Sequence, residues 1–279
     1  ADMNHMRNAI CALLAVSLLL CCTAAFVSDK ADADKPICAT GFEKADELGL
    51  YDRLTRNERV EVVDGEGVEG SKALKVTYRG NKRGSERVVN TFKLDKPLDE
   101  ATLVFDVKFD EDFQFLKGGK LHGLGPDNRV TGGNKVKPDG WSARAMWHKD
   151  SLGSYVYCQD KERKFGQGPD RKQDFQFETE RYYSVSIHVK INNDVKKSNG
   201  SVRIYVDGKR VAEDHRIRFR GVDGEHTKIT HLLFSTFHGG ENPSWAPKDE
   251  NGEYTDVYAY FDNFAVYEGE HIRHKPVGD

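Results

Sequence analysis

The sequence predicts an all-β protein, an antiparallel β-sandwich, and three observations carry that expectation. Apolar residues recur at every second position in run after run, no long stretch repeats at the helical period, and 26 glycines are spread over the 279 residues. On a strand, successive side chains point to opposite faces, so each alternating run offers one face to a core and one to solvent or a ligand. Many short strands separated by turn residues pack most simply as two antiparallel sheets. With 38 % hydrophobic residues, the length suits one large domain of this class.

From the N-terminus, the chain first reads as an export signal. Residues 1–5 precede a natural start at Met6 and look extraneous. Met6 and Arg7 lead into an apolar run over 9–20, followed by small residues at Thr23, Ala24 and Ala25. That run is shorter than the roughly 20 residues of a membrane span, which favours a cleaved signal over an anchor. The expected division is 1–25 extraneous residues and signal peptide, 26–40 a flexible segment, and 41–279 a single β-domain. The mature protein is then secreted or periplasmic, with no membrane association. Cys38 and Cys158 would remain after cleavage. They are read either as a disulfide formed in an oxidising compartment or as a loop thiol and a small buried side chain.

A helical turn or two is expected around 44–50. Leu74, Val76 and Tyr78 then mark one strand face, and Leu103, Phe105, Val107 and Phe109 a second. Tyr183, Val185, Ile187, Val189 and Ile191 mark a third. Val202, Ile204 and Val206 mark a fourth, which turns at Asp207-Gly208 and returns through Val211. An aromatic-rich strand is expected over 257–266. Two segments resist a simple strand reading: 117–137, rich in glycine and charge, reads as an ordered functional loop or a mobile surface one, and 239–255, with Trp245 and two prolines, as a long excursion between two strands of the size that often binds.

The formal charge of −3 gives no general attraction to nucleic acid or an anionic membrane. Charge is unevenly placed, however. Residues 113–150 hold Lys117, Lys120, Arg129, Lys135, Lys137, Arg144 and Lys149 against Asp127, Asp139 and Asp150. This basic stretch coincides with a sorted strand: Trp141, Ala143, Ala145 and Trp147 share one face, and Ser142, Arg144, Met146 and His148 the other. Further on, Tyr155, Tyr157 and Gln159 line one side. An apolar face backed by a hydroxyl, a guanidinium and two phenols points to an acidic sugar as ligand.

A uronic-acid polymer can be cut by β-elimination, which needs three things. The carboxylate must be neutralised while charge develops beside it, a base must take the alpha proton, and an acid must meet the departing oxygen. Arg144 offers a permanently charged fork matched to a carboxylate, with Ser142 as a second donor. Lys120, desolvated beside other cations, is a candidate base. Tyr155 and Tyr157 are candidate proton donors or shuttles. His122 shares parity with Lys120 if that segment is extended, and is a second candidate base. Lys117, Gln159 and His238 complete the candidate lining. Each residue alone is more often structural or solvated; the joint placement is what points to a site. The ten histidines show no tight ligand spacing, so no metal is expected, and Asp262-Asn263 reads as structural.

Lys-Gly-Gly-Lys-Leu at 117–121, Gly-Trp-Ser-Ala-Arg-Ala-Met-Trp at 140–147 and Tyr-Val-Tyr at 155–157 resemble the central motifs of polysaccharide lyase family 14. Phe-Ser-Thr-Phe-His-Gly-Gly at 234–240 and Phe-Asp-Asn-Phe at 261–264 extend the likeness over roughly 92–267. That family comprises alginate and related polyuronate lyases, and the glucuronan lyases of family 20 are similar. The resemblance implies a jelly roll of the concanavalin A-like type whose concave sheet holds an acidic polysaccharide. Elimination is expected to need no metal or organic cofactor, and the protein is expected to be a monomer. Carried over residue by residue, the essential lysine matches Lys120, the carboxylate-binding serine and arginine match Ser142 and Arg144, and the paired cleft tyrosines match Tyr155 and Tyr157. One departure stands out: these families commonly place proline after Lys-Leu, where this chain has His122, which bears on the base and on the preferred uronate.

Alginate is the leading expected substrate, with glucuronan and glycosaminoglycans as alternatives. A non-catalytic module binding acidic carbohydrate is the competing reading. A glycoside hydrolase ranks last, because it would need two carboxylates about 5–10 Å apart on the cleft face.

Overall fold

Alternation is converted into strands almost wherever the sequence shows it. The computed structural model describes residues 35–278 apart from 161, 163 and 169–174, so the expected export signal lies outside the described residues. In chain order the strands are β1 (Cys38–Thr40), β2 (Val60–Val63), β3 (Ala73–Asn81), β4 (Gly84–Ser85), β5 (Val88–Leu98), β6 (Glu100–Phe109) and β7 (Gly119–Gly125). They continue as β8 (Ser142–His148), β9 (Ser151–Tyr157), β10 (Tyr182–Lys190), β11 (Gly200–Val206), β12 (Lys209–Ile217), β13 (Ile229–His238) and β14 (Asp256–Glu268). Among the described residues, no helix is long and apolar enough to cross a membrane.

Two antiparallel sheets form the expected sandwich. The larger runs β12-β11-β10-β6-β14-β3-β2, with β1 on β14 and β4 on β3; the smaller runs β5-β13-β7-β8-β9. Their facing sides share one apolar core, in which Phe261 of the larger sheet packs on its neighbour Phe105 and meets Phe234 of the smaller. Trp141 and Trp147 close that core from the smaller sheet, each donating its indole N–H to a backbone carbonyl, of Thr227 (2.8 Å) and Phe115 (3.0 Å) respectively. A buried indole needs such an acceptor to avoid a desolvation cost.

Two expectations are corrected. The helix, α1 (Leu50–Leu54), begins where the 44–50 reading ends, because the Asp46 carboxylate accepts from the N–H groups of Leu50 (3.0 Å) and Tyr51 (2.8 Å). Residues 38–40, assigned to a flexible segment, are held as β1 along β14. Of the two readings left open for Cys38 and Cys158, the structure has the unpaired one: they are not joined in a disulfide, and burial pushes the Cys38 thiol up to about 12.

The expected loop 117–137 is corrected too, and this matters most for the site. Its first part is β7, the central strand of the smaller sheet, paired with both β13 and β8. Glycines disguise it in the sequence, yet close approach demands them. A Cβ at Gly119 would collide with the Trp147 ring, and one at Gly123 with the Ala143 carbonyl oxygen.

Candidate active site

The outward face of the smaller sheet carries a cleft of 1220 Å³. The register explains which residues reach it. Lys120 lies opposite Met146, and Arg144 opposite both Tyr155 and Gly123. Between the Lys120 and Gly123 pairings β7 advances three residues while β8 advances two, and over the same stretch β13 advances four, from Leu233 to Phe237. Such graded bulging bends the sheet and changes which side chains face out. Lys120, Arg144, Met146 and Tyr155 line the cleft together with Ser235 and Phe237. Trp141, Ala143, Ala145 and Trp147 point into the core, as their spacing predicts.

Lys120 and Arg144 are 8 % and 4 % exposed. The Lys120 Nζ lies 3.1 Å from the Met146 Sδ and 4.0 Å from the centre of the Tyr155 ring. The Arg144 guanidinium carbon lies 5.5 Å from the same ring, and one of its terminal nitrogens donates to the Ser235 hydroxyl at 3.3 Å. Its Nε has no hydrogen-bond partner, and no carboxylate pairs with it among the described residues. Burial lowers the Arg144 pKa from its ordinary value, and Arg87 pushes the same way. A guanidinium taken out of water without a counter-charge is costly, so the site favours whatever anion enters it. Burial, with a contribution from Tyr157, raises the Tyr155 phenol, which therefore keeps its proton at neutral pH.

Around this centre the lining adds Arg83, Arg87 and Arg129, all exposed, against a single acidic residue among the described ones, Glu241. Phe165, Phe237 and Trp245 supply apolar surface, and the Arg87 guanidinium stacks 5.1 Å from the Phe237 ring centre. A cationic trough with aromatic walls suits a polyanion whose rings carry apolar faces. Among the described residues, no three His, Cys, Asp or Glu side chains gather as a metal site. The pair of cleft carboxylates that glycoside hydrolysis needs is likewise not on the lining among the described residues.

Several sequence candidates lie elsewhere. Tyr157 shares the face of Tyr155, their rings 5.8 Å apart, but it is buried beneath the 126–140 loop and its hydroxyl accepts the Gly133 N–H at 2.8 Å. Ser142 is covered by the same loop and donates to the Val130 carbonyl at 2.6 Å. Both hold the cleft wall rather than face the cleft. Lys117 is exposed in the turn before β7 and does not line the cleft. The Gln159 amide donates to the carbonyls of Lys137 (3.0 Å), Gly140 (3.2 Å) and Phe219 (2.9 Å), clasping loops together.

The two histidine candidates are corrected by strand geometry. The bulge at 120–123 turns His122 inward, to 0 % exposure, between the rings of Phe105, Phe234, Phe261 and Phe264. Burial there holds its pKa well below the usual range. His238 also points inward, stacked on Phe113, with its Nε2 2.6 Å from the Gln114 carbonyl.

Sequence reasoning missed Arg83, Arg87, Ser235, Phe237 and Phe165 as lining residues; it counted Arg129 only within the basic stretch and Trp245 only within the 239–255 loop. Parity in Phe-Ser-Thr-Phe-His offered a signal for two of them, since Ser235 and Phe237 alternate with the inward Phe234, Thr236 and His238. Arg83 and Arg87 had none, because their positions depend on which strand ends and loops meet in space.

The family model for Polysaccharide lyase 14 matches residues 68–264. No curated protein matches the sequence. The fold is similar to that of the marine PL-14 alginate lyase from Aplysia kurodai, at TM-score 0.63 and 22 % identity over 84 % of this chain and 99 % of that one. It is also similar to alginate lyase vAL-1 from Chlorella virus, at TM-score 0.60 and 22 % identity over 75 % and 89 %. The endo-β-1,4-glucuronan lyase from the fungus Trichoderma reesei aligns at TM-score 0.53 and 18 % identity over 80 % and 92 %. At such identities the likeness is one of fold.

Proposed function

The chain belongs to the Polysaccharide lyase 14 family, and from that premise we propose that it depolymerises a polyuronate, alginate first, by β-elimination outside the cell that makes it. As a polysaccharide lyase it acts on a polysaccharide; the substrate, the export and the residue roles are our reading.

One observation carries it: a buried guanidinium with no carboxylate partner among the described residues, beside an amine and a phenol that share one wall of a cationic cleft. Arg144 receives the uronate carboxylate, and the pairing stabilises negative charge as it spreads from the alpha carbon. Tyr155, whose phenol holds its proton, is suited to the acid role and donates to the departing glycosidic oxygen. Lys120 is then the group that takes the C5 proton. The C5–H electrons form the C4–C5 double bond as the C4–O bond breaks, so the products are an unsaturated uronate end and a new hydroxyl end. Tyr157 and Ser142 act at one remove, by fixing the loop that walls the cleft. The rim arginines hold further carboxylates along the polymer, and the protein works as a monomer without metal or organic cofactor.

Incubation with polymannuronate, polyguluronate, glucuronan and glycosaminoglycans, followed by ultraviolet absorbance of the unsaturated ends, tests the reading. A rise on alginate blocks that Lys120→Ala abolishes is expected. Turnover of glucuronan alone would move the substrate assignment, and no absorbance rise on any polymer would remove the elimination reading. Recovery of the mature protein in the culture medium checks export.

A further inference from the structure

The inward-facing His122 is costly if it serves only to fill the core. Its ring is enclosed by four phenylalanines, and its Nε2 has no hydrogen-bond partner among the described residues. Its Nδ1 lies 3.1 Å from the Ser235 backbone nitrogen and accepts that N–H, so the neutral ring carries its proton on the unpartnered Nε2. An apolar side chain of similar size would pack here without burying an uncompensated donor. The gain that histidine brings is the acceptor at Nδ1.

That acceptor meets β13 inside its irregular stretch. Between Leu233 and Phe237, β13 advances four residues against three on β7, so a ladder partner is missing within this stretch. The imidazole serves in its place for the Ser235 N–H. Ser235 in turn faces the cleft, where its hydroxyl accepts from the Arg144 guanidinium at 3.3 Å. This is the only side-chain hydrogen bond holding that guanidinium among the described residues. A continuous chain thus runs from the core imidazole through one backbone N–H and one hydroxyl to the anion-binding head.

We propose that His122 is a positioning residue for Arg144, fixing the bulged backbone at Ser235 so that its hydroxyl orients the guanidinium towards the substrate carboxylate. The proposal rests on the reading of Arg144 as the carboxylate-binding group. It assigns His122 no proton transfer, and burial keeping the ring neutral is consistent with that.

The test compares three variants of the whole protein, with melting temperature, kcat, KM and the pH profile as readouts. In His122→Asn the amide oxygen stands near the place of Nδ1, and kcat should stay within a few-fold of the parent with an unchanged acidic limb. In His122→Phe the acceptor is lost, and kcat should fall about 10- to 100-fold with a smaller change in KM. Ser235→Ala should fall in the same direction, and the Ser235→Ala/His122→Phe double variant should be no worse than its poorer parent, as expected of one pathway. A folded His122→Phe with full kcat overturns the proposal. So does a His122→Asn that loses as much as His122→Phe, or one that loses its acidic limb. Should His122→Phe fail to fold, full kcat in Ser235→Ala overturns it by itself. Full activity in Arg144→Ala would instead sink the carboxylate-binding reading, an outcome separable from the others.

Discussion

The Lys120 side-chain nitrogen lies 4.0 Å from the centre of the Tyr155 ring, although the two residues are on strands separated by β8. Arg144, on that intervening strand, lies against the same ring. Three strands therefore bring an amine, a guanidinium and a phenol to one point, which is the arrangement that proton removal beside a carboxylate requires.

On the proposed mechanism, removing Lys120 or Tyr155 should stop turnover and spare the fold. Lys120→Ala and Tyr155→Phe are each expected to lower kcat about 100- to 10,000-fold. Oligosaccharide affinity measured by calorimetry should remain. Retention of more than a tenth of the parent rate in Lys120→Ala would take that residue out of the chemistry.

Arg144 should trade stability against activity. Its charge is buried with no counter-ion among the described residues. Arg144→Leu is expected to raise stability by about 1–3 kcal/mol while abolishing turnover. Arg144→Lys should not restore activity, because a single ammonium cannot present two parallel donors to a carboxylate. Denaturant melts and absorbance assays on the two variants check both halves.

The rim arginines should act on affinity and little on rate. Alanine at Arg83, Arg87 or Arg129 is expected to raise KM about 2- to 5-fold at low salt, with kcat close to the parent. Added salt should shrink the difference, since exposed charges are screened. A large fall in kcat for any of the three would place that arginine in the chemistry.

His238 should make the fold sensitive to acid. Burial lowers its pKa from 6.5 to about 4. The folded chain thus holds this proton more weakly than the unfolded chain. The stabilisation is full above the unfolded value and is lost as pH falls from 6.5 towards 4, by about 3 kcal/mol in all. His122, shifted in the same direction, adds to the trend. In His238→Phe the fall in melting temperature over that window should be shallower than in the parent; an identical slope would show that His238 does not titrate there.

Close approach at β7 should be intolerant of even one methyl group. Gly123→Ala would drive its Cβ into the Ala143 carbonyl and the Arg144 side chain. A loss of about 1–3 kcal/mol is expected, with activity reduced because the strand that carries Lys120 must shift. Thermal melts alongside activity assays would register both effects.

Alternation by itself determined the sandwich, the core face of Trp141 to Trp147 and the outward face of Arg144 and Tyr155, because side-chain parity on a regular strand is a local property of the backbone. Resemblance to known motifs marked Lys120, yet its glycine-rich strand read as a loop, since intrinsic strand preference disfavours glycine where neighbouring strands require it. Only the tertiary structure decided that His122 and His238 turn inward, that Tyr157 and Ser142 hold a loop, and that Arg87 joins the cleft. Each of these depends on pairing between residues far apart in the chain, above all the unequal advance of β13, β7 and β8, and a shift of one residue in such pairing reverses the face of every side chain that follows.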